Sequence, residues 1–211
     1  MSASKLIPTL ALCAFLTSGL TPIPVYANDL SLFSEKLPEI GLLLRKDEAM
    51  LIEEGAEKAD KRTLTIRDIV SLYKQKEYSA IYSDTLSFAR SDDPVAQQIL
   101  GLMHRLGQSI EKDNTRAAYW LTKAANKGQP LAQHHLGFMY YSGEGVIKDS
   151  VISLKWLTLA MDHYKPGSER KRAGLDRKSI EEQLSKHEHK RAKNFVDEWY
   201  YTYKNNDKVT P

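Results

Sequence analysis

Residues 96–130 read AQQILGLMHRLGQSIEKDNTRAAYWLTKAANKGQP, and residues 132–166 read AQHHLGFMYYSGEGVIKDSVISLKWLTLAMDHYKP. Set one above the other without a gap, the two stretches are identical at Ala96, Gln97, Leu100, Gly101, Met103, Gly107, Lys112, Asp113, Trp120, Leu121, Thr122, Ala124 and Pro130, thirteen of 35 positions at an offset of 36. That density is far beyond composition. A period of this length marks a repeat architecture, in which each unit buries its apolar face against the next.

Within each copy the spacing predicts two helices and a loop. Ala132, Leu136 and Met139 are spaced by four and three, and Leu154, Leu157 and Met161 further on by three and four. Ser142, Gly143, Glu144 and Gly145 between them are turn residues, and Asp113 and Asp149 stand where a carboxylate caps the second helix. Gly101 and Gly137 sit inside the first helix at the same phase. A glycine there costs about 1 kcal/mol against alanine, so its recurrence predicts a helix crossing too close for a side chain. Trp120 and Trp156 are expected to fill the adjoining space, with Ala124 and Ala160 as small partners one turn on.

Leu136-Gly137-Phe138-Met139-Tyr140-Tyr141-Ser142-Gly143-Glu144-Gly145-Val146, followed by Lys148-Asp149 and Trp156, resembles the Sel1-like repeat, a relative of the tetratricopeptide repeat with a longer interhelical loop. Copy one resembles it through Leu100-Gly101, Gly107, Lys112-Asp113, Ala117, Trp120, Lys123-Ala124-Ala125 and Gly128. Copy one departs at His104 and Ser109, where the family favours Tyr and Gly. Copy two ends Asp162-His163-Tyr164, where Gly is usual, which suggests that the array is ending. The resemblance implies an all-α fold, a right-handed α/α superhelical solenoid of Sel1-like helix hairpins. It further implies a non-catalytic protein–protein interaction scaffold or adaptor, with no cofactor. It also keeps two rivals in view: a cell-wall or β-lactam-binding or hydrolysing enzyme, and a structural subunit of an envelope motor or secretion assembly.

The flanks read as caps. Apolar positions at helical spacing (Ile66, Ile69, Val70, Tyr73; Ile81, Thr85, Phe88, Ala89) predict a capping helix pair over residues 63–93. The repeats follow at 94–129 and 130–165. Pro166-Gly167 breaks the pattern before capping helices over 166–205, marked by Ile180, Leu184, Phe195, Trp199 and Tyr203, and a flexible tail over 206–211. Roughly four helix pairs result. Residues 28–62 form an N-terminal arm, helical in part. The arm holds nine acidic and six basic side chains, whereas residues 165–208 hold eight and twelve, so the two ends differ in charge, −3 against +4. Solvated capping surfaces explain this, and so does a surface that steers a charged partner or meets an anionic envelope.

The beginning of the chain reads as an address. Lys5, an apolar stretch over residues 6–20 and Val25-Tyr26-Ala27 match an export signal cleaved after Ala27, too short for a confident membrane span. The one cysteine, Cys13, lies inside that signal, so the mature chain has no thiolate for disulfide, nucleophile or metal. A bacterial periplasm is the expected location, with secretion as the other possibility, and no membrane anchor remains after cleavage. A net charge of +3 over 211 residues without a concentrated basic patch argues against nucleic acid.

Catalytic patterns are sparse. The six histidines, among them the adjacent His134 and His135 and the pair His187 and His189, show no metal-ligand spacing and are expected to be solvated. Ser71-Leu72-Tyr73-Lys74 and Ser168-Glu169-Arg170-Lys171 match S-x-x-K, but no Ser-Asp-Asn or Lys-Thr-Gly accompanies them. What remains is recognition. Gln98, Leu102 and Arg105 in copy one, and His134, Phe138 and Tyr141 in copy two, project opposite the core positions of the first helices. These six residues are expected to line one stripe on the concave face and bind another polypeptide, envelope or secreted; packing of Leu102 and Phe138 against neighbouring helices is the competing reading.

Overall fold

The structure, a computed structural model, describes residues 64–206. The export signal, the N-terminal arm and residues 207–211 lie outside the described residues. The described residues form eight helices and no strand: α1 (Ile66–Lys74), α2 (Tyr78–Arg90), α3 (Pro94–Leu106), α4 (Asn114–Asn126), α5 (Pro130–Ser142), α6 (Ser150–His163), α7 (Ser168–Glu181) and α8 (Lys186–Asn206). In sequence they fall into four successive pairs.

Side chains just ahead of the helices set where they begin. Thr65 and Asp68 make a reciprocal capping box at α1, and Ser185 and Glu188 do the same for α8. Asp93 accepts from the Val95 and Ala96 amides, Asp113 from Arg116, and Asp149 from Val151 and Ile152. Proline opens α3 and α5, where its missing N–H is harmless.

Within each repeat the helices cross at the glycine. A Cβ added to Gly101 would lie 2.7 Å from Leu121 Cγ, and one on Gly137 would lie 2.8 Å from Leu157 Cγ. The second helix therefore rests its leucine directly on the backbone of the first. Ser153 strengthens the second crossing by donating from Oγ to the Gly137 carbonyl at 2.7 Å.

Between units a buried glutamine does the joining. Gln97 Nε2, on α3, donates to the Ala89 carbonyl at the end of α2 (3.1 Å) and to Asp92 (2.9 Å). Gln133 Nε2, on α5, repeats this on the Ala125 carbonyl at the end of α4 (3.0 Å). Both glutamines are fully buried, so each closes a helix end that has no intrahelical donor left. Trp120 packs with Leu86 and Ala89 of α2 and with Ala96 and Leu100 of α3, and is core in position. Gly145 seals the long loop of copy two against copy one: with φ of +69°, its missing Cβ would sit 2.1 Å from the Asn114 carbonyl oxygen. Only glycine fits there. Ser109, its counterpart in copy one, adopts the same left-handed backbone (φ 61°) in an exposed position.

The first helices touch in series, α1 on α3 and α3 on α5, which places them along the inner side of the stack. The array then ends. Tyr164, where copy one has the left-handed Gly128, leaves α6 in an extended conformation. The capping hairpin packs on α6: Ile180 of α7 and Ala192 of α8 join Val151, Leu154 and Leu157. Further along α8, Trp199 and Tyr203 stack at 4.6 Å beside His163, and Tyr203 reaches Gly128 in the α4–α5 loop.

Gly137→Ala is expected to lower the melting temperature although alanine favours a helix by about 1 kcal/mol, because its methyl must displace Leu157. Gly174→Ala, in α7, meets only Met161 Sδ at 3.6 Å and is expected to raise it. Thermal denaturation of the two variants checks the pair of opposite signs.

Candidate functional site

The predicted stripe runs along the inner helices α3 and α5, and the structure divides it. Gln98, Arg105, Phe138 and Tyr141 keep part of their surface in solvent. Leu102 and His134 do not: they are 4% and 8% exposed. These two positions of the expected binding stripe are corrected to interior positions. Leu102 packs into the central core with Ala117, Ala118, Leu121 and Leu136. His134 lies under the capping hairpin, with Nε2 2.9 Å from Asp176 Oδ2 of α7, Nδ1 3.5 Å from the Tyr164 hydroxyl, and its ring 5.3 Å from that of Phe138. The helical projection of one isolated helix cannot register a cap that arrives 42 residues later.

Arg105 is held between the repeats. Its Nη1 donates to His135 Nδ1 at 2.6 Å and its Nη2 to Glu144 at 3.3 Å, so one guanidinium from copy one grips both the first helix and the loop of copy two. Tyr141 reaches Gln183 across the cap boundary, hydroxyl to side-chain amide, at 3.3 Å, and its ring carries Lys148 Nζ at 5.4 Å from the centroid. The inner face open to solvent therefore centres on Gln98, Arg105, His135 and Phe138, with Tyr141 at its edge. His135 was missed by the sequence reading. Its only sequence signal is its place one residue from His134, and the Arg105 contact comes from stacking.

Two histidines expected in solvent are interior instead. His104 is 2% exposed, and neither ring nitrogen meets a hydrogen-bond partner among the described residues. Burial, together with the Arg116 charge, lowers it to about 4. His135 is lowered to about 4 by burial first and then by the charges of Arg105, His134 and Arg172. It is therefore neutral near pH 7, so that Nδ1 accepts from Arg105. His134 is the second interior one, placed as described above. His163, half-buried, meets Gln133 Oε1 at 2.9 Å and is lowered by burial. Lys155, 7% exposed with Nζ 4.3 Å from the Trp156 ring centroid, is lowered to about 8 by burial.

No group of three or more His, Cys, Asp or Glu positioned to hold a metal occurs among the described residues. The serines of the two S-x-x-K matches are exposed, with local partners: Ser71 Oγ accepts from Gln75 at 3.2 Å, and Ser168 Oγ donates to Glu169 at 2.9 Å. Trp120 and Trp156 are 3% and 4% exposed and offer no stacking face.

The family model described as Sel1 repeat matches residues 94–129 and 130–163. Among solved structures, the chain is similar to a protective antigen present in uropathogenic Escherichia coli strains that displays an SLR fold, with 22% identity and a TM-score of 0.57 over 69% of this chain and 32% of that one. It is also similar to a Sel1 repeat protein from Oxalobacter formigenes, with 24% identity and a TM-score of 0.51 over 66% of this chain and 59% of that one. The chain thus spans about a third of the length of the first and under two thirds of the second. Comparison with curated proteins finds no match. These likenesses establish the fold.

His104 stands where copy two has the buried Tyr140. Its value near 4 in the folded state lies below the ordinary 6.5, so the unfolded chain takes up its proton first as pH falls. Stability is then full above about pH 6.5 and is lost on descent to about pH 4, by about 3 kcal/mol for this one side chain. His104→Phe is expected to flatten that part of the pH–stability curve, measured by melting temperature in steps of pH; an unchanged slope would contradict the assignment.

Proposed function

Taking as premise that the chain carries two Sel1 repeats in a helical solenoid, we propose that it is a non-catalytic scaffold that binds a partner polypeptide along the inner helices. The observation that carries this reading is the exposed remainder of the inner face. Gln98, Arg105, His135 and Phe138 come from two successive units, which the Arg105–His135 contact ties together. A surface already ordered before binding pays little conformational entropy on association. Phe138 supplies an apolar anchor, and Gln98 with the Arg105 guanidinium supplies polar contacts beside it.

A bacterial envelope location belongs to the same proposal. It rests on the leader pattern of residues 1–27 and on the single cysteine falling within that leader. A cysteine-free mature chain suits an exported protein whose stability comes from stacked hairpins and not from bridges.

A photocrosslinking amino acid at position 98 or 138 is expected to capture a defined polypeptide in envelope extract, and the same group at Lys123, outside the inner face, is expected to capture none. Phe138→Ala is expected to weaken affinity for the captured partner about tenfold with little change in melting temperature. Covalent labelling of the purified chain by a fluorescent penicillin would favour the enzyme reading instead. Capture of a large assembly in fixed stoichiometry would favour the structural-subunit reading.

A further inference from the structure

We propose that the outward face of the C-terminal hairpin docks on an anionic phospholipid bilayer, a surface separate from the partner-binding face. The argument starts with how the hairpin sits. Both α7 and α8 pack on α6. They bury Ala173 and Ile180 from α7, and Ala192, Val196 and Trp199 from α8. The opposite sides of the two helices therefore both point away from the end of the stack. On α7 that side carries Lys171, Leu175 and Lys178; on α8 it carries Lys186, Lys190 and Lys193. All six are exposed, and the spacings of three and four residues line them up along each helix.

The hairpin is net cationic: residues 165–206 carry eleven Lys and Arg against seven Asp and Glu. Asp176 is 2.9 Å from His134, Glu181 pairs with Arg177 at 3.3 Å, and Glu182 lies 3.9 Å from Lys178. Glu188 caps the start of α8 through the Ser185 amide at 2.8 Å, and Glu169 accepts from the Ser168 hydroxyl at 2.9 Å. Asp197 is exposed one turn on from Lys193, and Glu198 acts on Lys155. Lys171, Lys186, Lys190 and Lys193 enter no ion pair among the described residues. The positive end legible in the sequence thus lies in this hairpin.

The shape selects the occupant. These cations stand on the sides of α7 and α8 opposite their buried residues, so they match an extended sheet of charge and not a single threaded peptide. Leu175, 70% exposed between Lys171 and Lys178, is an apolar side chain that can enter the headgroup boundary of a bilayer. No helix among the described residues is long and apolar enough to cross a membrane. The association is peripheral, driven by lysine near anionic headgroups and weakened by salt.

The test is co-sedimentation of the full chain with vesicles of phosphatidylglycerol and phosphatidylcholine at about 30:70, against vesicles of phosphatidylcholine alone. Expected is binding to the anionic vesicles that is lost at about 0.5 M salt. It is expected to fall about tenfold in Lys190→Glu with Lys193→Glu, and several-fold in Leu175→Ser. Adsorption through the apolar stretch at residues 6–20 would instead appear on both vesicle types and survive these substitutions, which would overturn the proposal. So would binding to a polyglutamate or heparin resin with no vesicle binding. Helical circular dichroism and melting temperature of each variant separate lost docking from lost folding.

Discussion

In both repeats, everything above the single helix depends on one close contact, leucine against glycine at the helix crossing. Leu121 meets the backbone of Gly101, and Leu157 meets that of Gly137. Because no side chain intervenes, each pair of helices locks at one separation and angle. Trp120 and the small residues Ala117 and Ala124 can then be fully enclosed. The contact costs helix propensity at the glycine and gains packing from both helices, a trade that favours the hairpin only when the second helix is present. That is why the unit is the hairpin and not the helix.

Joining one hairpin to the next uses a different chemistry. A fully buried glutamine closes the carbonyl end of the preceding hairpin, Gln97 on Ala89 and Gln133 on Ala125. An amide is suited to this because it donates without carrying charge into the core. The next residue in that series, 36 positions on from Gln133, is Glu169. Ionised, it has no proton to donate, and it turns outward at the start of α7. Together with the extended Tyr164 in place of a left-handed glycine, this ends the regular array and lets the long α8 lie back across α6.

The same capping hairpin reshapes the inner face. His134 reads from its helical phase as a surface residue, and in α5 alone it would be one. Asp176 and Tyr164 enclose it. Arg105 reads as a free cation for a partner, yet it already bridges His135 and Glu144. The interaction surface that remains is smaller and more rigid than the projection implies, and it includes His135, which no spacing argument selects. Buried His104 is the opposite case. The sequence marks it as a departure from the tyrosine of the other copy, and its placement without partners makes it a cost to stability as pH falls.

The sequence by itself determined the helices, their caps, the turns and the fact of repetition. Each of these is set by residues within about one turn of one another, or by the same local pattern appearing twice. It also determined that the glycine phase calls for a close crossing. Only the tertiary structure decided which outward positions stay outward. That depends on contacts between residues 30 to 42 positions apart, such as Arg105 with His135 and Tyr141 with Gln183. Those contacts follow from the angle at which successive hairpins stack and from where the final one folds back, and the hydrophobic period of a single helix carries no information about either.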